Sequence, residues 1–233
     1  MSYDPERHHR RSIRKKRFDY TQAGAYFVTV CTRNREPFLN DPIAAGIATD
    51  VWLALPDWFP HVGLDEFVVM PTHVHFVVWL SIQQEIGIDE GLPAGVALTP
   101  PADPHVHFYA EEPSHAYSQL PLDWNLPAAV KTNSSPRLGD VVGAWKSLTT
   151  TVYLEWIKRH DPMRRAKFWQ RNFYERIVRN DRALAAIRQY ICDNPKNWDE
   201  DPDNPANRLQ LPFPQTIDDY LDDLRRFVNK ISS

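Results

Sequence analysis

Two strand-like runs, Val62 to Met70 and the largely apolar His73 to Leu80, are separated only by Pro71-Thr72. A connection that short joins antiparallel neighbours, because parallel strands need a long crossover. The pair therefore reads as a hairpin. Ala25 to Thr32 (AYFVTVCT) is rich in β-branched and aromatic residues and reads as another strand. Between them, Asp41-Pro42 offers an N-cap with proline at the first helical position. Ile43, Ile47, Val51, Leu53 and Leu55 follow at roughly helical spacing, and Pro56 marks the end.

Downstream, Val141, Trp145, Leu148, Val152, Leu154 and Trp156 carry a helical pattern from Leu138 to about Lys158. Three consecutive threonines, Thr149 to Thr151, lower its propensity, so packing must support it. Phe168 to Val178 alternates and reads as a strand with a break near Asn172. Asp181 to Cys192 reads as a helix burying Leu184, Ile187 and Ile191, stopped by Asn194-Pro195. The order is strand, helix, strand, strand, helix, strand, helix. It predicts an α+β fold: a ferredoxin-like antiparallel sheet with helices packed on one face.

Composition divides the chain further. Residues 1–18 read as a flexible basic arm, with seven Lys/Arg and no acid from Arg7 to Phe18. Residues 19–198 form the expected domain. Inside it, 82–136 reads as an acidic, Pro-rich insertion, with eight prolines between Gly91 and Pro136. Residues 199–233 read as an acidic tail with a short helix. The net charge of −3 hides this segregation: Arg137 to Tyr190 holds twelve Lys/Arg against five acids. Such patterning builds a basic face on an acidic protein. Two distant cysteines, Cys31 and Cys192, exclude a disulfide framework and paired CxxC zinc sites. With no apolar leader and no run of 18 apolar residues, a cytoplasmic, nucleoid-associated protein without a membrane partner is expected.

The chemistry concentrates in two places. His73-Val74-His75 lies inside an apolar strand, and alternation puts both imidazoles on one face. Their burial side by side is costly unless something binds them, and a divalent cation is the natural partner. Two structural core histidines are the plainer reading of an isolated HxH. A near copy, His105-Val106-His107-Phe108, sits in the Pro-rich stretch, where no strand framework is expected, and reads as a decoy. The second place is Tyr190 and Asn194, four apart at a helix end and so on one face. A phenol with a free pKa of about 10 is a poor nucleophile, but a cation on a phosphodiester makes it adequate. Nitrogen and oxygen ligands together favour Mg²⁺ or Mn²⁺ over a thiolate metal.

In order, MPTHVHFVVWL, LGDVVGAWKS, FWQRNFYERIVRN and YICDNPKNW resemble the single-tyrosine HUH transposases, and most nearly the REP-associated tyrosine transposases. The opening RRSIRKKRFDYTQAGAYFVTVCTRNRE is similar to the start of that family. The likeness spans about residues 10–81 and 137–198. It implies a ferredoxin-like core, Mg²⁺ or Mn²⁺ dependence, and cleavage and rejoining of single-stranded DNA near a hairpin through a covalent 5′-phosphotyrosine. It assigns His73 and His75 as metal ligands, Tyr190 as nucleophile and Asn194 as third ligand, a position that is Gln or another polar residue in related branches. Tyr174 in NFYERI is the rival tyrosine. Family members include monomers and dimers, so a homodimer stays open.

Single strands are held by cationic grooves and aromatic faces. The candidates for DNA contact are Arg10, Arg11, Arg14, Lys15, Lys16 and Arg17 in the arm, Lys146 on the helix after the insertion, and Trp169, Arg171, Arg176 and Arg179. Two other readings compete. One is a domesticated protein that binds hairpin DNA without cutting it. The other is a histidine-triad phosphohydrolase, which wants a third alternating histidine where Val77 stands.

Overall fold

The computed structural model describes residues 22–80, 100–109, 136–163, 168–201 and 203–207. The basic arm with Arg10, Arg11, Arg14, Lys15, Lys16 and Arg17, and most of the tail, lie outside these residues. Five strands form one sheet: β1 (Gly24–Cys31), β2 (Val62–Met70), β3 (His73–Leu80), β4 (His105–Phe108) and β5 (Tyr174–Val178), in the order β4-β2-β3-β1-β5. The β2-β3, β3-β1 and β1-β5 pairs are antiparallel. With α1 (Pro42–Leu53) between β1 and β2, and α3 (Leu138–His160) between β3 and β5, the connectivity is the split β-α-β arrangement of a ferredoxin-like fold.

The α1 N-terminus forms as its residues dictate: the Asp41 carboxylate accepts from the Ile43 N–H at 3.1 Å, with Pro42 opening the helix. A four-residue helix, α2 (Leu55–Trp58), follows around Pro56. α3 continues through its threonines. Thr149 and Thr150 donate back to the Trp145 and Lys146 carbonyls, and Val141, Trp145, Val152 and Tyr153 bury the face that holds the helix down.

The expectation of helices on one face holds for α1 and α3 only. Their residues join Tyr26, Val28, Val30, Phe67, Val74, Phe76 and Val78 in the main core. α4 (Asp181–Asp193) covers the opposite face, where Leu184, Ile187, Tyr190 and Ile191 pack on Ala25, Phe27, Val68, Val77 and Trp79. The sheet is therefore buried on both sides, which is why β1 and β3 read as continuous apolar runs. α4 starts where Asn180 accepts from the Ala183 N–H at 2.8 Å. Its C-terminal end runs into a 3-10 segment, Asn194–Glu200.

The second HxH corrects the sequence reading. His105–Phe108 is a strand, parallel to β2 at the sheet edge, and part of the insertion is thus built into the sheet. The break foreseen near Asn172 is present. Trp169 makes an isolated bridge to Thr32, and the β5 ladder resumes at Tyr174. Among the described residues, no helix is long and apolar enough to cross a membrane.

Candidate metal and nucleophile site

The site lies on the α4 face, at the end of β3 next to the hairpin connection. Alternation along β3 points His73, His75, Val77 and Trp79 to this face, and both imidazoles are completely buried. Each is oriented from behind. Thr29, directly opposite His75 on β1, is hydrogen-bonded to His75 Nδ1 at 2.7 Å. Thr72 lies 3.2 Å from His73 Nδ1. A ring nitrogen fixed in this way leaves Nε2 for the site. Burial pushes His75 down to about 3, helped by Arg35. Burial, then His75 and Arg35, hold His73 well below the ordinary histidine range. Both rings are neutral, the form that binds a metal.

The late helix reaches back to this strand. The Tyr190 hydroxyl lies 3.2 Å from His75 Nε2, across 115 residues of chain. Its ring packs edge-on to Phe27, which stacks on His75. Burial, reinforced by Asp201, holds the phenol well above its usual pKa, so the hydroxyl is protonated. Asn194 is 1% exposed. Its amide lies near enough to bias His73, Tyr190 and Asp201, yet among the described residues neither its oxygen nor its nitrogen has a hydrogen-bond partner.

Three further residues complete the site, and sequence reasoning missed them. Asp201, read as part of an acidic tail, is buried with its Oδ2 4.0 Å from His73 Nε2, too far for a hydrogen bond. Burial pushes its carboxyl up to about 7, against the pull of Arg35 and Asn194. Asp203 pairs with Arg35, and its carbonyl accepts from the Thr72 hydroxyl at 3.1 Å. Arg35 is 2% exposed and stands, with Asn34, at positive φ (52° and 54°). That is a conformation non-glycine residues adopt only where surroundings enforce it. The spacing of Asp201 and Asp203, just past Asn194, was the only sequence signal for the acids.

Ligand atoms of His73, His75 and Asp201 lie within 4.8 Å of one another. Among the described residues, His73 Nε2, Asp201 Oδ2 and both Asn194 side-chain atoms are buried without a hydrogen-bond partner. Leaving such groups unsatisfied is costly, and a divalent cation would satisfy the imidazole nitrogen and the two oxygens at once. The donor set of two imidazoles, a carboxylate and an amide oxygen fits a hard or borderline cation.

The remaining candidates are distributed differently. Tyr174 pairs with Thr29, and so shares the rung of His75 from two strands away. Burial pushes its phenol up as well. Arg176 lies opposite Phe27 on the site face and is half-buried. Trp169 packs on Trp145 and Phe168. Its segment runs beside the His73 end of the sheet, where the Gln170 N–H donates to Cys31 O at 2.9 Å. Arg171 is exposed there. Arg179 is exposed at the opposite end, past the Ala25–Val178 rung. Lys146 donates to the Gln170 and Arg171 carbonyls at 2.6 and 2.9 Å, which among the described residues leaves one N–H of its ammonium. Burial lowers it to about 8. Val77 lies in the apolar packing under α4, where a histidine triad would need its third ring.

No family profile matches the sequence. A curated protein of Haemophilus influenzae, itself uncharacterised, is 29% identical over 209 residues, covering 85% of this chain and 95% of its own. Among solved structures, a REP-associated tyrosine transposase bound to a REP hairpin aligns with a TM-score of 0.45 and 17% identity, over 79% of this chain and 73% of its own. A Deinococcus radiodurans protein described as a candidate transposase aligns with a TM-score of 0.38 and 17% identity, over 76% and 95% of the two chains. Likeness at this level carries no functional weight.

Proposed function

We propose that this protein is a DNA strand transferase that cleaves and rejoins single-stranded DNA near hairpin sequences, with Tyr190 as nucleophile. The observation that supports it is the meeting of the Tyr190 hydroxyl with His75 Nε2 at 3.2 Å, beside a buried group of metal-ligating side chains. His73, His75 and Asn194 would hold Mg²⁺ or Mn²⁺, with Asp201 as a further oxygen donor. When bound, the ion supplies positive charge that offsets the phosphate and the developing phenolate.

The Tyr190 oxygen attacks the scissile phosphorus as its proton passes to water. The P–O3′ bond breaks, the 3′ oxygen takes up a proton, and the 5′ phosphate stays on the tyrosine. Rejoining reverses this, with a 3′ hydroxyl displacing the tyrosine. Before the ion binds, the lone pair of neutral His75 Nε2 orients the hydroxyl, and coordination of the ion would take that lone pair over. Arg171 and Trp169 beside the His73 end, the remaining N–H of Lys146, Arg176, Arg179 and the residue 1–18 arm serve as backbone and base contacts.

The test uses labelled hairpin oligonucleotides with single-stranded flanks, with and without Mn²⁺. A denaturation-resistant adduct is expected with metal only. It should disappear in Tyr190→Phe and survive in Tyr174→Phe. An adduct that persists in Tyr190→Phe rejects the assignment. Hairpin binding in chelator, with no adduct when Mn²⁺ is added, means a binder that does not cut.

A further inference from the structure

β2 contains an irregularity with a specific output. Leu64 lies opposite Val78 and Phe67 opposite Phe76, so Asp65 and Glu66 together face Val77 alone. This is a β-bulge, which re-aims side chains. Leu64 and Phe67 both remain in the main core, while the two carboxylates between them are withdrawn from water, Asp65 completely. Glu66 turns to β4. Asp65 turns to α4 and β3: its Oδ1 accepts from Arg188 Nε at 2.8 Å, and its Oδ2 from Arg188 Nη2 at 2.7 Å and Trp79 Nε1 at 2.8 Å.

The apolar stripe of α4 gives adhesion but little direction, since apolar contact is non-directional. A two-point guanidinium–carboxylate pair fixes both rotation and axial position. Arg188 stands two residues before Tyr190. Trp79 lies on the same strand and face as His73 and His75. We propose that Asp65 and Arg188 are positioning residues, a clamp that sets the register of α4 against β3 and so holds the Tyr190 hydroxyl at His75. A lysine at 188 keeps the charge but loses the fork, so it should not restore the register.

The test uses the full chain with 3-fluorotyrosine in place of Tyr190. In the otherwise native protein a single fluorine resonance is expected. In Arg188→Lys and Asp65→Asn it should shift and broaden or split, well below the melting temperature, while the exposed control Lys158→Ala leaves it unchanged. A second readout rests on the reading of Tyr190 as nucleophile. Adduct formation at saturating hairpin oligonucleotide should fall on the order of a hundredfold in Arg188→Lys, as misplaced reactive groups do, with hairpin affinity changed less than about twofold. If native protein gives no adduct, the nucleophile reading fails while the fluorine resonance still decides the clamp. Should Asp65→Asn not fold, Arg188→Lys decides alone. A native fluorine resonance in Arg188→Lys overturns the proposal.

Discussion

Thr29 and Thr72 engage the two histidines from behind. Thr29 is the one polar residue among Ala25, Phe27, Thr29 and Cys31 on its face of β1, and it fixes the His75 ring through Nδ1. Thr29→Val should keep the fold and weaken Mn²⁺ binding about ten- to a hundredfold, which titration calorimetry measures directly. Asp50, on α1, makes a separate prediction about pH. Burial raises its carboxyl from the usual value to about 6. The folded state then binds more protons than the unfolded state between roughly pH 4 and 6, so stability falls as pH rises through that window. Asp50→Asn removes the penalty and should stabilise the protein by about 1–2 kcal/mol at pH 7.5, with no gain at pH 3.5, seen as a difference in urea midpoint. The periodic frames made legible that His73 and His75 share a strand face and that Tyr190 and Asn194 stand one turn apart at a helix end. Arg35 and Asp201 were not legible. Nothing local distinguishes an arginine turned inward by two left-handed residues, or an acid buried by distant partners.

At the scale of elements, the hairpin, both long helices and α4 followed from periodicity and caps. What the pattern did not disclose was which sheet face α4 covers. A strand apolar on both sides announces two coverings without saying by what. β4 was misread for a related reason. His105-Val106-His107-Phe108 becomes a strand only because the β2 edge pairs with it and one carboxylate waits there. His105 Nδ1 and His107 Nε2 donate to the two oxygens of Glu66 at 2.9 and 2.8 Å. At one end of this strap Gly63 leaves room for Pro100, where an added Cβ would stand 2.9 Å from its ring. At the other, Tyr109 packs on Trp198. Burial works to raise the Glu66 carboxyl, but the hydrogen bonds from His107 and His105 leave it below the ordinary glutamate range. Its contribution is therefore complete above the unfolded pKa of about 4.3 and is lost as pH falls through the lower folded value. Glu66→Gln should reduce hydrogen-exchange protection across β4 at neutral pH by about tenfold, leaving α1 and α3 unchanged.

Taken whole, the molecule brings β1, β3, the end of α4 and the segment around Asp201 to one point. A ligand that binds only this assembled arrangement must stabilise it. Mn²⁺ at a hundred times its dissociation constant should add about 2.7 kcal/mol, raising the melting temperature by a few degrees. A double change of His73 and His75 to alanine should abolish that shift. Pro71-Thr72 shows how far apart the contributors begin. Leu39 N donates to Pro71 O, Thr32 N donates to Thr72 O, and the Thr72 hydroxyl reaches Asp203 O across 131 residues. Contacts of such separation form late, since closing large loops costs entropy before any contact rewards it. During synthesis, then, the hairpin is made early and waits. If the site takes up a cation as proposed, its ion-binding competence arrives only when the segment around Asp201 docks, so a chain cut short before this segment should fold much of its sheet while staying blind to metal.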